Sequence, residues 1–210
     1  MKKLFVIMLA AALLLCACGK TAGNTSGADP VSSAASQTES AAETKVSVFE
    51  PIKGKIAEPE LRRLFDGNLD CMLNIFELSE LPHEKTPVSG TLYYVTERFT
   101  AYSELEAYVN AIYCADAAKE MLGYEVNGHV RYVDHEGKLC FDSYCATGKG
   151  YYVDWEDYKL TVELLDDSDC YFTVSAFVEY PADEPKKEPY AVLAHALCEN
   201  GVWKLETMYY

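Results

Sequence analysis

Three patterns in this 210-residue chain predict an α+β fold, two helices packed on a curved antiparallel sheet. The first is alternation. Between Tyr158 and Tyr209 the apolar residues fall on one parity for strand after strand: Tyr158, Leu160, Val162, Leu164; Cys170, Phe172, Val174, Ala176, Val178, Tyr180; Tyr190, Val192, Ala194, Ala196, Cys198. Strand side chains change face at every residue, so each run has one face toward a core. The second is the turn Asn200-Gly201, a strong two-residue hairpin signal, followed by Trp203, Leu205, Thr207 and Tyr209 on the odd parity. The third is a pair of stretches with apolar residues at helical spacing, upstream of the strands.

The elements follow in order. From Pro59 to Leu78 the residues Leu61, Leu64, Phe65, Leu69, Met72, Leu73 and Phe76 mark one face of a helix, with Pro59 suited to its first turn. Gly67 weakens this helix by about 1 kcal/mol without breaking the pattern. Leu81 to Pro87 forms a loop, and Thr91–Glu97 reads as a strand. A second helix covers Ser103–Met121, with Ser103 and Glu106 as a capping box, an apolar face at Leu105, Tyr108, Val109, Ile112 and Met121, and Gly123 as its stop. His129–Val133 and Lys138–Tyr144 form a hairpin around Asp134–Gly137.

Parity fixes the rest of the register. The Asn200-Gly201 turn puts Glu199 opposite Val202, Cys198 opposite Trp203, Ala196 opposite Leu205 and Val192 opposite Tyr209. The Pro181–Pro189 connection has an odd number of residues and keeps even residues facing even ones. Around Asp166–Asp169 a plain two- or four-residue loop would turn the apolar faces apart, so a three- or five-residue loop or a bulge is expected, with Leu164 and Phe172 on one face.

The N-terminus reads as a lipoprotein signal peptide, residues 1–17: Lys2 and Lys3, then the apolar stretch Leu4–Leu15, too short for a membrane span. Leu15-Cys16-Ala17-Cys18 resembles a bacterial lipobox, which makes Cys18 the lipidation site. Residues 18–48, rich in Ala, Ser, Thr and Gly, read as a lipidated flexible tether with a coil span of about 30 Å. Residues 49–210 then form one α+β domain, on the outer face of the bacterial cytoplasmic membrane. The formal charge of −15 becomes −17 when Lys2 and Lys3 are removed. This excess argues against nucleic acid and against adhesion to anionic headgroups, and it is compatible with a basic protein partner.

Six cysteines follow Cys18: Cys71, Cys114, Cys140, Cys145, Cys170 and Cys198. An exported chain permits disulfides, and the register makes Cys170–Cys198 the preferred pair, with Cys71–Cys114 a second candidate and buried free thiols the alternative. No spacing is that of a zinc or thioredoxin-like site.

No HExxH, GxSxG, phosphate loop or dinucleotide fingerprint is present, so no catalytic residue, cofactor or metal is implied. His83, His129, His135 and His195 are scattered, and His195 falls on the outward parity of its strand. The Asp166–Asp169 cluster lacks the glycine and distal glutamate of a calcium loop. The sequence favours a binding domain over an enzyme. Its first candidate contact segment is the glycine-bearing stretch Cys145–Trp155, in which Tyr151, Tyr152, Asp154 and Trp155 are the expected partner-binding residues; folding of Trp155 into the core is the alternative. The second is Pro181–Pro189, with Asp183, Glu184, Lys186, Lys187 and Glu188, for which a solvated hairpin tip is the favoured alternative.

From about Glu60 onward the chain resembles the IseA family of exported inhibitors of cell-wall DL-endopeptidases. The resemblance rests on Leu92-Tyr93-Tyr94-Val95 leading into the Ser103–Met121 helix, Glu136-Gly137-Lys138-Leu139 opening a strand, the Gly148–Trp155 turn, and the closing Glu199-Asn200-Gly201-Val202-Trp203-Lys204-Leu205. It implies a cell-wall hydrolase of the NlpC/P60 cysteine peptidase type as partner, blocked by a loop in its cleft. The ending Asn-Gly-x-Trp-Lys-Leu is also similar to that of cystatin-like and NTF2-like domains, which implies instead a ligand cavity under Trp203 and the helices. An enzyme on the same scaffold would need a polar cleft holding His195 or a carboxylate pair.

Overall fold

The long strands that the alternation predicts are present, and they outrun the helices that cover them. The computed structural model describes residues 49–146, 152–180 and 186–210. Five strands make a curled antiparallel sheet in the order β1 (Ile52–Lys53), β10 (Val202–Leu205), β9 (Lys186–Glu199), β8 (Asp169–Tyr180), β7 (Tyr152–Leu165). At roughly 3.3 Å per residue the 12 residues of β8 extend about 40 Å. The 14 residues of the main helix, α1 (Glu58–Cys71), extend only about 21 Å.

The register of the last three long strands is the expected one. Even residues face even ones across β8 and β9, as in Phe172 with Ala194 and Val174 with Val192. Across the Asn200-Gly201 turn, whose residues both have positive φ, Cys198 faces Trp203 and Ala196 faces Leu205. Strand β10 ends at Leu205, so the expected pairing of Val192 with Tyr209 does not form. The Glu206 N–H donates to the His195 carbonyl at 3.1 Å, and the chain then leaves the sheet.

Strand β7 carries two irregularities. Glu163 is an extra residue between the pairs Val162–Phe172 and Leu164–Tyr171. It lies upstream of Leu164 and is not the odd loop or bulge expected around Asp166–Asp169, where the plain turn forms instead. Leu164 therefore shares the face of Tyr171 and is exposed, which corrects the expectation that it sits with Phe172. The turn itself is the tight one that places Leu165 opposite Cys170, closed by the Asp166 side chain accepting from the Ser168 and Asp169 N–H groups at 2.8 Å each. Further upstream, Trp155, Glu156, Asp157 and Tyr158 stand opposite Ala176 alone. That insertion lets both Trp155 and Tyr158 turn inward, where each is buried.

The first helix runs on into a π-helical turn, Met72–Phe76. The second predicted helix is two: α2 (Tyr102–Ile112) and α3 (Ala115–Leu122). Tyr113 adopts an extended conformation between them, and the Cys114 N–H donates to the Leu205 carbonyl at 2.9 Å. The break thus gives the edge of β10 a partner. The N-terminal cap also shifts from the expected Ser103 and Glu106. Glu104 accepts from the N–H of Thr100 at 2.7 Å. Strand β2 (Tyr93–Val95) pairs with β6 (Lys138–Asp142), which pairs with β5 (Tyr132–His135). The stretch expected as one strand from His129 divides, and β4 (His129–Val130) pairs with β3 (Glu125–Val126) instead.

The core lies between the helices and the concave face of the large sheet: Leu61, Leu64 and Phe65 of α1 and Ile112 of α2 against Phe172, Val174, Ala194, Ala196, Trp203 and Leu205. Gly67 has a packing reason. A Cβ there would lie 2.7 Å from the Phe49 ring and 3.0 Å from Ile112, so glycine permits α1 and α2 to approach. Among the described residues no helix is long and apolar enough to cross a membrane.

Candidate ligand-binding groove

The length mismatch between strands and helices leaves one end of the concave face uncovered by α1. There Val153 and Trp155 of β7, Val178 of β8 and Tyr190 of β9 face Met72, Glu77 and Leu78 at the end of the first helix, around a largely apolar cavity of about 410 Å³. Tyr210 closes one side. Beyond it a second cavity of about 590 Å³ opens between Phe76 and Glu77, helix α3, Arg131 and Met208. Glu77 and Tyr210 border both, so the two chambers adjoin. Volumes of this size suit small organic ligands or a few side chains of a peptide.

Each wall has a local cause. Trp155 is placed by the β7 insertion and packs edge-on to Phe65 and Tyr190, with ring centroids 5.6 and 5.9 Å apart. Tyr158, from the same insertion, donates to Asp66 at 2.7 Å and packs 5.3 Å from the Phe65 ring, which fixes the insertion against α1. Tyr190 donates to the main-chain oxygen of Tyr210. The segment ending in Tyr210 is held by Asn68, which is fully buried: its amide donates to the Tyr209 carbonyl at 2.9 Å and its carbonyl accepts from the Tyr209 N–H at 2.9 Å and the Tyr113 hydroxyl at 3.0 Å. Burial, then the neighbouring Glu77 carboxylate, push the Tyr210 phenol above its ordinary value.

A second polar cluster holds that segment from the outer face. The His195 ring stacks on Tyr171 with centroids 3.9 Å apart. Its Nδ1 lies 3.0 Å from Glu206 and its Nε2 3.1 Å from Asp169. The two carboxylates approach opposite edges of the ring, so the three groups do not converge on a common point, and among the described residues no metal-binding cluster exists. The ring is buried, and it joins the β7–β8 turn to the chain after β10.

The thiols are set up for packing. All six described cysteines are free. Cys170 faces Ala196 and Cys198 faces Trp203, so the proposed Cys170–Cys198 pair is diagonal rather than directly opposed, and no bond joins it. Cys71 and Cys114 are likewise unbridged. Burial pushes the Cys170 thiol up to about 11 and, with Glu199 adding to it, Cys114 up to about 12. Thiolates are therefore scarce at these sites at neutral pH. The Cys145 thiol hydrogen-bonds to the His129 main-chain carbonyl at 3.3 Å, while the His129 Nδ1 faces Asp142 at 2.9 Å. That arrangement does not set a thiol on an imidazole nitrogen as nucleophilic catalysis requires.

The residues singled out in the sequence fare differently. Trp155 is not an exposed loop aromatic; it is buried in β7 and forms a wall of the groove. Asp154 pairs with Lys187 at 3.0 Å, and that bond, with the Glu156 N–H, holds its carboxyl below the usual range. The Tyr152 main chain pairs with Glu179. Tyr151, Cys18 and residues 181–185 lie outside the described residues. Lys186–Pro189, expected in a loop, belongs to β9. Met72, Glu77, Arg131 and Tyr210 were not foreseen, because their roles depend on where the helices stop. Tyr190 carried a signal, its inward parity next to the end of a long strand.

No protein-family model matches this sequence, and no curated protein matches it.

Proposed function

We propose that this chain is an exported bacterial lipoprotein, anchored through Cys18 at the outer face of the cytoplasmic membrane, that binds a ligand in the groove under Trp155 and does not turn it over. The observation that carries this reading is the open apolar chamber bounded by Val153, Trp155, Val178 and Tyr190 on the sheet and by Met72 on the helix. A concave, mostly apolar chamber of this size is the usual form of a small-ligand site. The reading agrees with the cystatin-like and NTF2-like resemblance in kind, but moves the cavity from Trp203 to the opposite end of the sheet. Titration of the full chain with the neutral fluorophore N-phenyl-1-naphthylamine tests it. Saturable binding that is lost in Val153→Trp, which fills the chamber, is the expected result; no saturable binding to the wild-type chain would sink the reading.

A second reading, inhibition of an NlpC/P60-type DL-endopeptidase, is favoured by one feature. The described ends of β7, β8 and β9 meet at one end of the sheet, where Tyr152 pairs with Glu179 and Tyr180 with Lys186, and Asp154 and Lys187 are bonded across it. A polar, charged rim of this kind suits contact with an enzyme cleft. The full chain added to such an enzyme on purified peptidoglycan should slow hydrolysis in proportion to its concentration; undiminished hydrolysis at a large molar excess would remove this reading.

A further inference from the structure

We infer that the groove selects organic cations: an ammonium group carried on an apolar body. The inference rests on the groove being a ligand site and adds the charge of the ligand. Three observations support it. First, the acidic side chains of the lining are Glu77, which borders both chambers, and Glu120, which borders the second. Glu77 accepts from the Tyr210 hydroxyl at 3.4 Å, and Glu120 approaches the same phenol from α3, where both carboxylates contribute to raising it. Second, the one basic side chain among the lining residues, Arg131, is bonded to protein main chain and borders the second chamber alone. The buried Arg131 guanidinium donates to the main-chain carbonyls of Ile75, Cys145 and Ser79 at 3.0, 2.7 and 2.9 Å. These bonds direct the guanidinium toward protein main chain, and Arg131 borders only the second chamber, whereas Glu77 borders both.

Third, the apolar walls carry aromatic faces, Trp155, Tyr190 and Tyr210 in one chamber and Tyr124 and Tyr210 in the other. An aromatic ring attracts a cation through its quadrupole, and a quaternary or alkylated ammonium loses less hydration than a bare one when it leaves water. An anion would meet two carboxylates and the negative faces of the rings. The formal charge of −15 on the whole chain adds a long-range field of the same sign, which concentrates cations near the surface.

Three probes with an eight-carbon chain separate the outcomes: octyltrimethylammonium, octyl glucoside and octanoate, each titrated calorimetrically into the full chain below its micelle-forming concentration. The expected order is octyltrimethylammonium tightest, by about tenfold over octanoate, with octyl glucoside between them. The double variant Glu77→Gln, Glu120→Gln should remove most of that spread. The variant Glu163→Gln, Asp167→Asn, which deletes the same charge at the far end of the sheet, should keep it. Equal binding of the three probes, or octanoate tightest, overturns the inference and leaves the groove as a ligand site. A spread that falls equally in both double variants also overturns it, because the preference would then belong to the net charge. Binding of none of the three defeats the groove reading itself.

Discussion

The two ends of the concave sheet face are built from the same kinds of residue and end up opposite in character. At one end Trp203, Leu205, Ala194 and Ala196 lie under α1 and α2, and the space is full. At the other, Val153, Trp155, Val178 and Tyr190 look out on a chamber of about 410 Å³. The difference is one of reach: the strands continue past the point where the helical layer ends. A groove made this way needs no special loop. It needs long strands, a helix that stops, and one large side chain to keep the edge from collapsing inward. Trp155 is that side chain.

The sharpest way to break the comparison is to truncate the two tryptophans. Trp203 is nearly fully buried, and its indole N–H donates to the Gly54 carbonyl, tying the short β1 segment to β10. Trp203→Ala should cost about 3–5 kcal/mol, measured by denaturant unfolding. Trp155→Ala should cost about 1–3 kcal/mol, since one side of the ring already faces open space. Equal losses would mean the chamber is not open in solution. Next comes the strap that bounds the groove. Asn68→Ala removes both bonds to the main chain of Tyr209 and the one from the Tyr113 hydroxyl, a loss of about 2–4 kcal/mol. It should also weaken probe binding, because Tyr210 follows directly. Unchanged stability would show that water replaces the amide.

A smaller effect tests the full end alone. Gly67→Ala gains about 1 kcal/mol of helix propensity but brings a methyl to 2.7 Å from Phe49 and 3.0 Å from Ile112. Ile112 is fully buried and has no room to withdraw. We expect a net loss of about 1 kcal/mol in the same unfolding assay, with probe binding retained. A gain in stability would mean that the α1–α2 contact is looser than it looks.

How much of this was legible in the sequence depends on how far each cause lies along the chain. The pairing of Phe172 with Ala194 and of Cys198 with Trp203 followed from parity and a two-residue turn, both local. The break at Tyr113 was hidden, because its cause is a carbonyl at Leu205, far along the chain. The odd loop or bulge expected around Asp166–Asp169 did not form, because the expectation assumed that Leu164 faces the core, whereas the Glu163 bulge turns it out to solvent. The insertion at Trp155–Tyr158 was invisible to a period-two reading, which admits no extra residues. For the site, Trp155 was singled out for its place in a glycine-bearing stretch and matters for a different reason. Glu77 and Tyr210 gave no signal, since the groove arises where elements end. The Cys170–Cys198 pairing failed by two residues of register, which separates a facing pair from a diagonal one.

Two acids on the first helix and its continuation carry the same contrast into electrostatics. Asp70 accepts from Arg98 at 2.9 and 2.6 Å, from Asn74 at 2.9 Å and from the Tyr108 hydroxyl, locking α1 to α2. Glu77, at the end of the same helical run, accepts from Tyr210 at 3.4 Å and borders both chambers. Burial alone would raise the Asp70 carboxyl, but the hydrogen bonds from Arg98, Tyr108 and Asn74 outweigh it and hold the group below its ordinary value. A carboxylate depressed in the folded state stabilises the fold above its unfolded value, near 3.9, and that stability is lost as pH falls through the lower folded value. Asp70→Asn should therefore cost about 1–3 kcal/mol at pH 7, and its deficit against wild type should shrink in acid, below about pH 4. Glu77→Gln should leave stability near wild type at both pH values and act on ligand affinity instead. A deficit for Asp70→Asn that stays constant from pH 7 to pH 3 would show that the Arg98 pair adds nothing through charge, and the division between a structural and a binding acid would fall.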